Sequence, residues 1–144
     1  MDCARRYGEL LRETLRGDRP DVLLLGMGPD GHTASLFPGA EAVFPDGHAV
    51  PVGPDCCAGR AAAAVRGGSL PGWRLTLCPD ILGSARHVVF LAAGADKTNA
   101  VRRAVNGDPR TPAAWIRGAT TTFVVTRDAA GTGDTGFRSD IRRA

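Results

Sequence analysis

The 144-residue sequence has no apolar run long enough to cross a membrane: its longest, Val88 to Ala95, falls far short of the about 20 residues that a spanning helix needs. It also lacks an uninterrupted signal-peptide core, because Asp2, Arg5, Arg6, Glu9, Arg12 and Glu13 break up the stretch from Met1 to Leu15. Cysteine is scarce. The four residues stand at positions 3, 56, 57 and 78 with no C-x-x-C pair, and there are only three histidines. A zinc site therefore finds little support, no metal or cofactor is expected, and reduced thiols in a cytoplasmic protein fit better. There is no stripe of positive charge either. The net charge is +3, the arginines are scattered, and the cluster of Arg138, Arg142 and Arg143 reads as a solvated terminus. Neither a nucleic-acid nor a membrane partner is implied. What is present, 43% hydrophobic and 23% charged residues, is the composition of an ordinary globular domain able to bury one core.

Along the chain, Tyr7, Leu10, Leu11, Thr14 and Leu15 recur at helical spacing, and Gly17 stands where such a helix would stop. Asp21 to Gly26 is a short continuous apolar run, of the kind that fills a parallel strand covered on both faces. A glycine-rich turn sits at its carboxyl end, where open α/β sheets place their ligands. Thr33 to Phe37 predicts a helical turn, and Ala49 to Val52 a short strand. Cys56 to Gly68 reads as an irregular excursion. Trp73 to Leu77 alternates like a strand, and Pro79 opens a turn of helix through Leu82. Arg86 to Ala93 predicts a second apolar strand closed by Gly94, with a helix from Lys97 to Val105 after it. Thr121 to Thr126 predicts a last strand. Strand, glycine turn and helix, repeated, predict an α/β fold with a Rossmann-like, mostly parallel sheet flanked by helices.

The chemistry concentrates in Gly26-Met27-Gly28-Pro29-Asp30-Gly31-His32. Gly26, Gly28 and Gly31 permit tight turns and a close approach of backbone to ligand, and a helix begun at Thr33 would turn free N–H groups toward an anion. Asp30 and His32 lie two positions apart, so the carboxylate can orient the imidazole or stand beside it. Histidine suits proton transfer near neutrality. On spacing alone, the same string reads more readily as a sharp strand-to-helix turn bearing a surface histidine. Lys97 follows Gly94 at the carboxyl end of its strand and can reach the same end of the sheet as His32. Arg74 opens a strand, where an arginine is usually a rim charge. His48 and His87 read as structural, and the adjacent Cys56 and Cys57 are poorly placed to bridge one another.

The longer string Gly26 to Gly39, reading GMGPDGHTASLFPG, closely resembles the signature of the 6-phosphogluconolactonase family. Arg74-Leu75-Thr76-Leu77, Arg86 to Leu91 with Gly94-Ala95-Asp96-Lys97, Asp108-Pro109 and Pro112-Ala113-Ala114 are similar to its later blocks. The resemblance implies metal-free hydrolysis of a sugar-phosphate lactone, 6-phospho-D-glucono-1,5-lactone, in the oxidative pentose phosphate pathway. It casts His32 and Asp30 as catalytic residues, with Gly28, Gly31, Lys97 and Arg74 binding substrate. Lys97 would lie on the phosphate side, and backbone N–H groups around Gly28 and Gly31 would meet the oxyanion.

The family's Gly-Ser-rich phosphate loop and Asp-Glu-Arg block do not precede Asp21. Residues 1–130 are thus expected to be the C-terminal portion of such a domain, an incomplete one, with 131–144 a flexible tail. An incomplete parallel sheet predicts an exposed edge, self-association through it, and weak activity of the chain alone. Glucosamine-6-phosphate deaminases share the Asp-Gly-His turn, but there the residues after the histidine tend to read Ile-Ala-Phe-Asn-Glu; Thr33 to Gly39 favours the lactonase. A remnant that binds sugar phosphates without turnover is the non-enzymatic alternative.

Overall fold

In a computed structural model, the described residues are 2–16, 19–57, 59–68 and 72–131. Residues 132–144 of the tail expected over 131–144, and Gly17, lie outside them. The first helix, α1 (Asp2–Leu15), forms where the spacing places it, but on an unexpected face. Its buried residues are Ala4 and Gly8, one turn apart, while Tyr7 and Leu10 are exposed. A Cβ on Gly8 would stand 3.5 Å from the Ala62 nitrogen, so the small side chains bring the helix against the strand behind it.

Three parallel strands, β1 (Val22–Gly26), β6 (His87–Ala92) and β7 (Thr120–Val125), form one sheet in the order β1-β6-β7. Leu25 pairs with Phe90 and Phe90 with Phe123, which sets the carboxyl ends of β1 and β6 side by side. One face of this sheet buries Leu25, Val88, Phe90 and Ala92 against Leu82 of α2 (Pro79–Ser84), Ala100, Val101 and Ala104 of α3 (Thr98–Val105) and Ala113 of α4 (Pro112–Trp115). A 3-10 turn, Ala95–Lys97, leads into α3, and a short helix, α5 (Arg127–Ala130), follows β7. The other face is uncovered: Val22, Leu24, Leu91 and Val124 are all about half exposed or more. No further strand pairs with β1 among the described residues, so its outer edge is open, as the sequence led us to expect. Alternation of buried and exposed positions therefore replaces the two-sided burial read from the apolar run.

The α/β architecture with a parallel sheet flanked by helices agrees with the sequence reading, but a second sheet accompanies it. Strands β2 (Ala40–Val43), β3 (Ala49–Pro51), β4 (Ala62–Gly67) and β5 (Trp73–Leu77) make an antiparallel sheet in the order β3-β2-β4-β5. Strand β4 occupies the stretch expected to be irregular. Its run Ala62-Ala63-Ala64-Val65 hides the two-residue period, because both of its faces need small residues. Ala63 and Val65 join a core with Ala42, Phe44 and Cys78, while Ala62 meets α1 at Gly8. Two further expectations are corrected. Thr33 to Phe37 is not helical: the Thr33 carbonyl accepts the Leu36 N–H at 2.9 Å in a tight turn with Ala34 at φ 50°, so no helix N-terminus faces a ligand there. The cysteines are not all free thiols, since Cys57 and Cys78 form a disulfide with Cα atoms 5.9 Å apart, leaving Cys3 exposed and Cys56 buried. No helix of the described residues is long and apolar enough to cross a membrane.

Candidate functional site

Strand β1 ends at Gly26, and the chain turns at once through Gly28 to His32 at the carboxyl end of the parallel sheet. The turn is closed on itself, with the Gly28 N–H donating to the His32 carbonyl at 2.9 Å and the Gly31 N–H to the Gly28 carbonyl at 3.0 Å. These two N–H groups are thereby engaged within the turn, so an oxyanion would have to be met by others around them. Both glycines matter for a different reason. A Cβ on Gly28 would lie 2.2 Å from the His32 ring, and one on Gly31, whose φ is +91°, would lie 2.6 Å from Thr111 Cγ2. The loop is packed as closely as absent side chains allow.

Within this frame Asp30 and His32 meet. His32 Nδ1 stands 2.6 Å from Asp30 Oδ1, and the same oxygen accepts the His32 backbone N–H at 3.0 Å. An ionised carboxylate only accepts hydrogen bonds, so in a neutral imidazole the contact puts the proton on Nδ1 and makes Nε2 the nitrogen with the lone pair. The pair is partly buried, with 27% of the His32 and 37% of the Asp30 side chain exposed, so the imidazole is anchored yet reachable. Phe37, itself buried, backs the ring with centroids 4.1 Å apart.

The segment after the histidine serves as a fastening. Thr33, fully buried, donates its hydroxyl to the Gly26 carbonyl at 2.9 Å, and Leu36 is buried in the core. The Ser35 N–H reaches Thr76 Oγ1 on β5 at 3.1 Å. From the other side, the Ala113 N–H donates to the Gly31 carbonyl at 3.1 Å and Arg103 Nη2 to the Asp30 carbonyl at 2.9 Å. Sequence reasoning missed Arg103 and Thr76, and local pattern holds no signal for them: the two contacts span 73 and 41 positions.

The other expected site residues are placed less closely. Lys97, the chain's one lysine, is half-buried at the last residue of the 3-10 turn after β6, next to β1 and at the same end of the sheet as His32. Among the described residues it has no carboxylate partner. Arg74 is exposed on β5 of the antiparallel sheet, two residues from Thr76, and is outside the hydrogen-bond network of the loop. His87 holds Thr120 Oγ1 at 2.5 Å at the opposite end of the parallel sheet, and His48 lies by Phe44 in the β2–β3 turn, consistent with structural roles.

Residues 1–125 match the family model described as glucosamine-6-phosphate isomerases/6-phosphogluconolactonase. A probable 6-phosphogluconolactonase of Drosophila melanogaster is 35% identical over 116 residues, covering 79% of this chain and 42% of that protein. The crystal structure of a 6-phosphogluconolactonase from Thermotoga maritima superposes with a TM-score of 0.66 at 26% identity, over 87% of this chain and 51% of that one. A monomeric glucosamine-6-phosphate deaminase superposes with a TM-score of 0.60 at 25% identity, over 89% of this chain and 53% of that one. The chain thus spans about half the length of the relatives it matches. With the histidine turn, the parallel sheet and a match from residue 1 to 125, the chain belongs to the glucosamine-6-phosphate isomerase/6-phosphogluconolactonase family.

Proposed function

We propose that the Asp30–His32 pair is the proton-handling centre for hydrolysis of 6-phospho-D-glucono-1,5-lactone to 6-phosphogluconate, the lactonase step of the oxidative pentose phosphate pathway. The observation that carries this reading is the 2.6 Å contact at the carboxyl end of β1, which engages Nδ1 and leaves Nε2 as the candidate base on an anchored, partly exposed ring. In the reaction, Nε2 takes a proton from water as the water oxygen bonds to the lactone carbonyl carbon. The tetrahedral oxyanion then collapses, the ring C–O bond breaks, and the imidazolium returns its proton to the ring oxygen. Atoms balance with water alone. Lys97 is the proposed phosphate anchor from the neighbouring strand end, with Arg74 the more distant candidate. Gly28 and Gly31 contribute by letting the backbone and ring close up. A cytoplasmic location accompanies this reading on the ground of the proposed reaction alone, since the Cys57–Cys78 disulfide removes the argument from reduced thiols.

Lactone consumption above the spontaneous rate tests it. The chain alone is expected to turn over weakly, because the uncovered face and open β1 edge leave one side of the sheet in water. The decisive quantity is the excess rate, which His32→Asn should lower by on the order of 10²-fold or more. An excess that survives His32→Asn, or its absence at any protein concentration, refutes the proposal. The deaminase reading is tested in the same assay with glucosamine 6-phosphate. Preference for that substrate would replace the lactonase. The open β1 edge and the apolar row Val22, Leu24, Leu91 and Val124 also support self-association of this chain through that surface.

A further inference from the structure

Arg103, near the end of α3, aims its guanidinium at the back of the histidine turn. Nη2 donates to the Asp30 carbonyl at 2.9 Å, and a Cβ on Gly31 would approach that same nitrogen to 3.4 Å. Its Nε is buried without a hydrogen-bond partner, and so is the hydroxyl of Thr111, whose methyl group packs under Gly31. Burying polar groups unpaired is costly, and a fold retains such a cost where the geometry it enforces matters. No carboxylate bonds Arg103 directly among the described residues. The Arg103 charge acts on Asp108, but Arg110 already holds that carboxylate at 3.0 Å, and among the described residues the guanidinium's hydrogen bond goes to the backbone of Asp30. The Asp30 carboxylate, one side chain away, is what fixes the His32 ring.

We infer that Arg103 is a positioning residue for the Asp30–His32 pair: by holding the Asp30 carbonyl it keeps the carboxylate under the ring and the imidazole in its Nδ1–H form. The inference rests on the proposed role of His32, but it concerns the geometry of the ring, not the substrate. The helix that follows Lys97 thus also supports the base, so one element serves both the proposed anion end and the proton end of the site.

The test reads the tautomer without substrate. In the 144-residue chain with ¹⁵N-labelled histidine, imidazole nitrogen shifts are recorded at about pH 9, above the ordinary imidazole range, with His48 and His87 as internal references. Wild type is expected to show His32 protonated on Nδ1. Arg103→Met should move the Nδ1–H to Nε2–H ratio by on the order of tenfold toward Nε2–H, the scale of one charge-assisted hydrogen bond. Arg103→Lys, which keeps a donor of nearly the same reach, should restore it. Where Arg103→Met fails to fold, Arg103→Gln, polar but too short to reach the carbonyl, gives the same reading. A folded variant with His32 still on Nδ1, a lysine variant that restores nothing, or unfolding of both neutral variants overturns the inference, the last by making Arg103 a strut of the fold. A chain that shows the tautomer shift but hydrolyses no lactone would leave the positioning role standing and remove the lactonase reading.

Discussion

Replacing Gly28 with alanine adds one methyl group at the most crowded point of the histidine turn. The new Cβ would lie 2.2 Å from both Cε1 and Nδ1 of His32 and 2.8 Å from Asp30 Oδ1. Ordinary contact begins near 3.4 Å, so the ring must retreat by roughly 1 Å, and the 2.6 Å hydrogen bond cannot survive that displacement. Its loss is worth about 1.5–3 kcal/mol, the scale for a hydrogen bond to a charged group, and a misplacement of about 1 Å costs on the order of 10²-fold in rate. Gly28 does not sit at positive φ, so the backbone tolerates alanine and the effect is purely steric. Gly26→Ala is the matched control, because a Cβ there meets nothing within 4 Å. Thermal unfolding and the imidazole ¹⁵N spectrum are the assays. Gly28→Ala should lose the Nδ1–H signature of His32 and any excess lactone turnover, while Gly26→Ala keeps both. A Gly28→Ala chain with an unchanged His32 spectrum would refute the packing argument.

Two further outcomes are expected. Leu24→Glu, a charge in the centre of the uncovered sheet face beside the open edge, should shift light-scattering mass toward the monomer at a concentration where wild type is assembled, with thermal stability within about 0.5 kcal/mol of wild type; an unchanged mass would place the self-association surface elsewhere. Reducing the Cys57–Cys78 bridge, which closes a loop of 21 residues, should lower unfolding stability by about 3 kcal/mol, read as the urea midpoint with and without dithiothreitol; equal midpoints would mean that the bridge does not form in solution.

The parts of the fold legible in the sequence are those whose signal is local. Strands β1, β6 and β7 announce themselves as apolar runs, and glycine turns mark where β1 and β6 end. Strand β4 was hidden because alanine carries neither a strand preference nor a visible alternation, and it becomes a strand only through what packs on its two faces. The turn at Thr33 looked helical because Leu36 and Phe37 follow at a plausible spacing. What decides its shape is tertiary: the Thr33 hydroxyl goes to the Gly26 carbonyl, and both apolar side chains go into the interior. In the site, Asp30 and His32 were readable because they are near neighbours in a glycine-rich turn. Arg103 was not, since nothing in the sequence states that a helix residue 73 positions later ends behind Asp30. The disulfide was missed for the same reason, as its partners come from a loop and a strand end 21 residues apart.

The hydrogen bond from Ser35 to Thr76 gives the histidine turn a mechanical property of its own. The turn is pinned at one end to the antiparallel sheet and at the other, through Arg103 and Ala113, to the helices that lie on the parallel sheet. Two residues, Thr33 and Ala34, separate His32 from the Ser35 pin, and Thr33 is itself tied to the Gly26 carbonyl. The imidazole therefore stands where two layers are tied together: the antiparallel sheet grips the chain three positions beyond the ring, and the helices of the parallel sheet grip it one and two positions before.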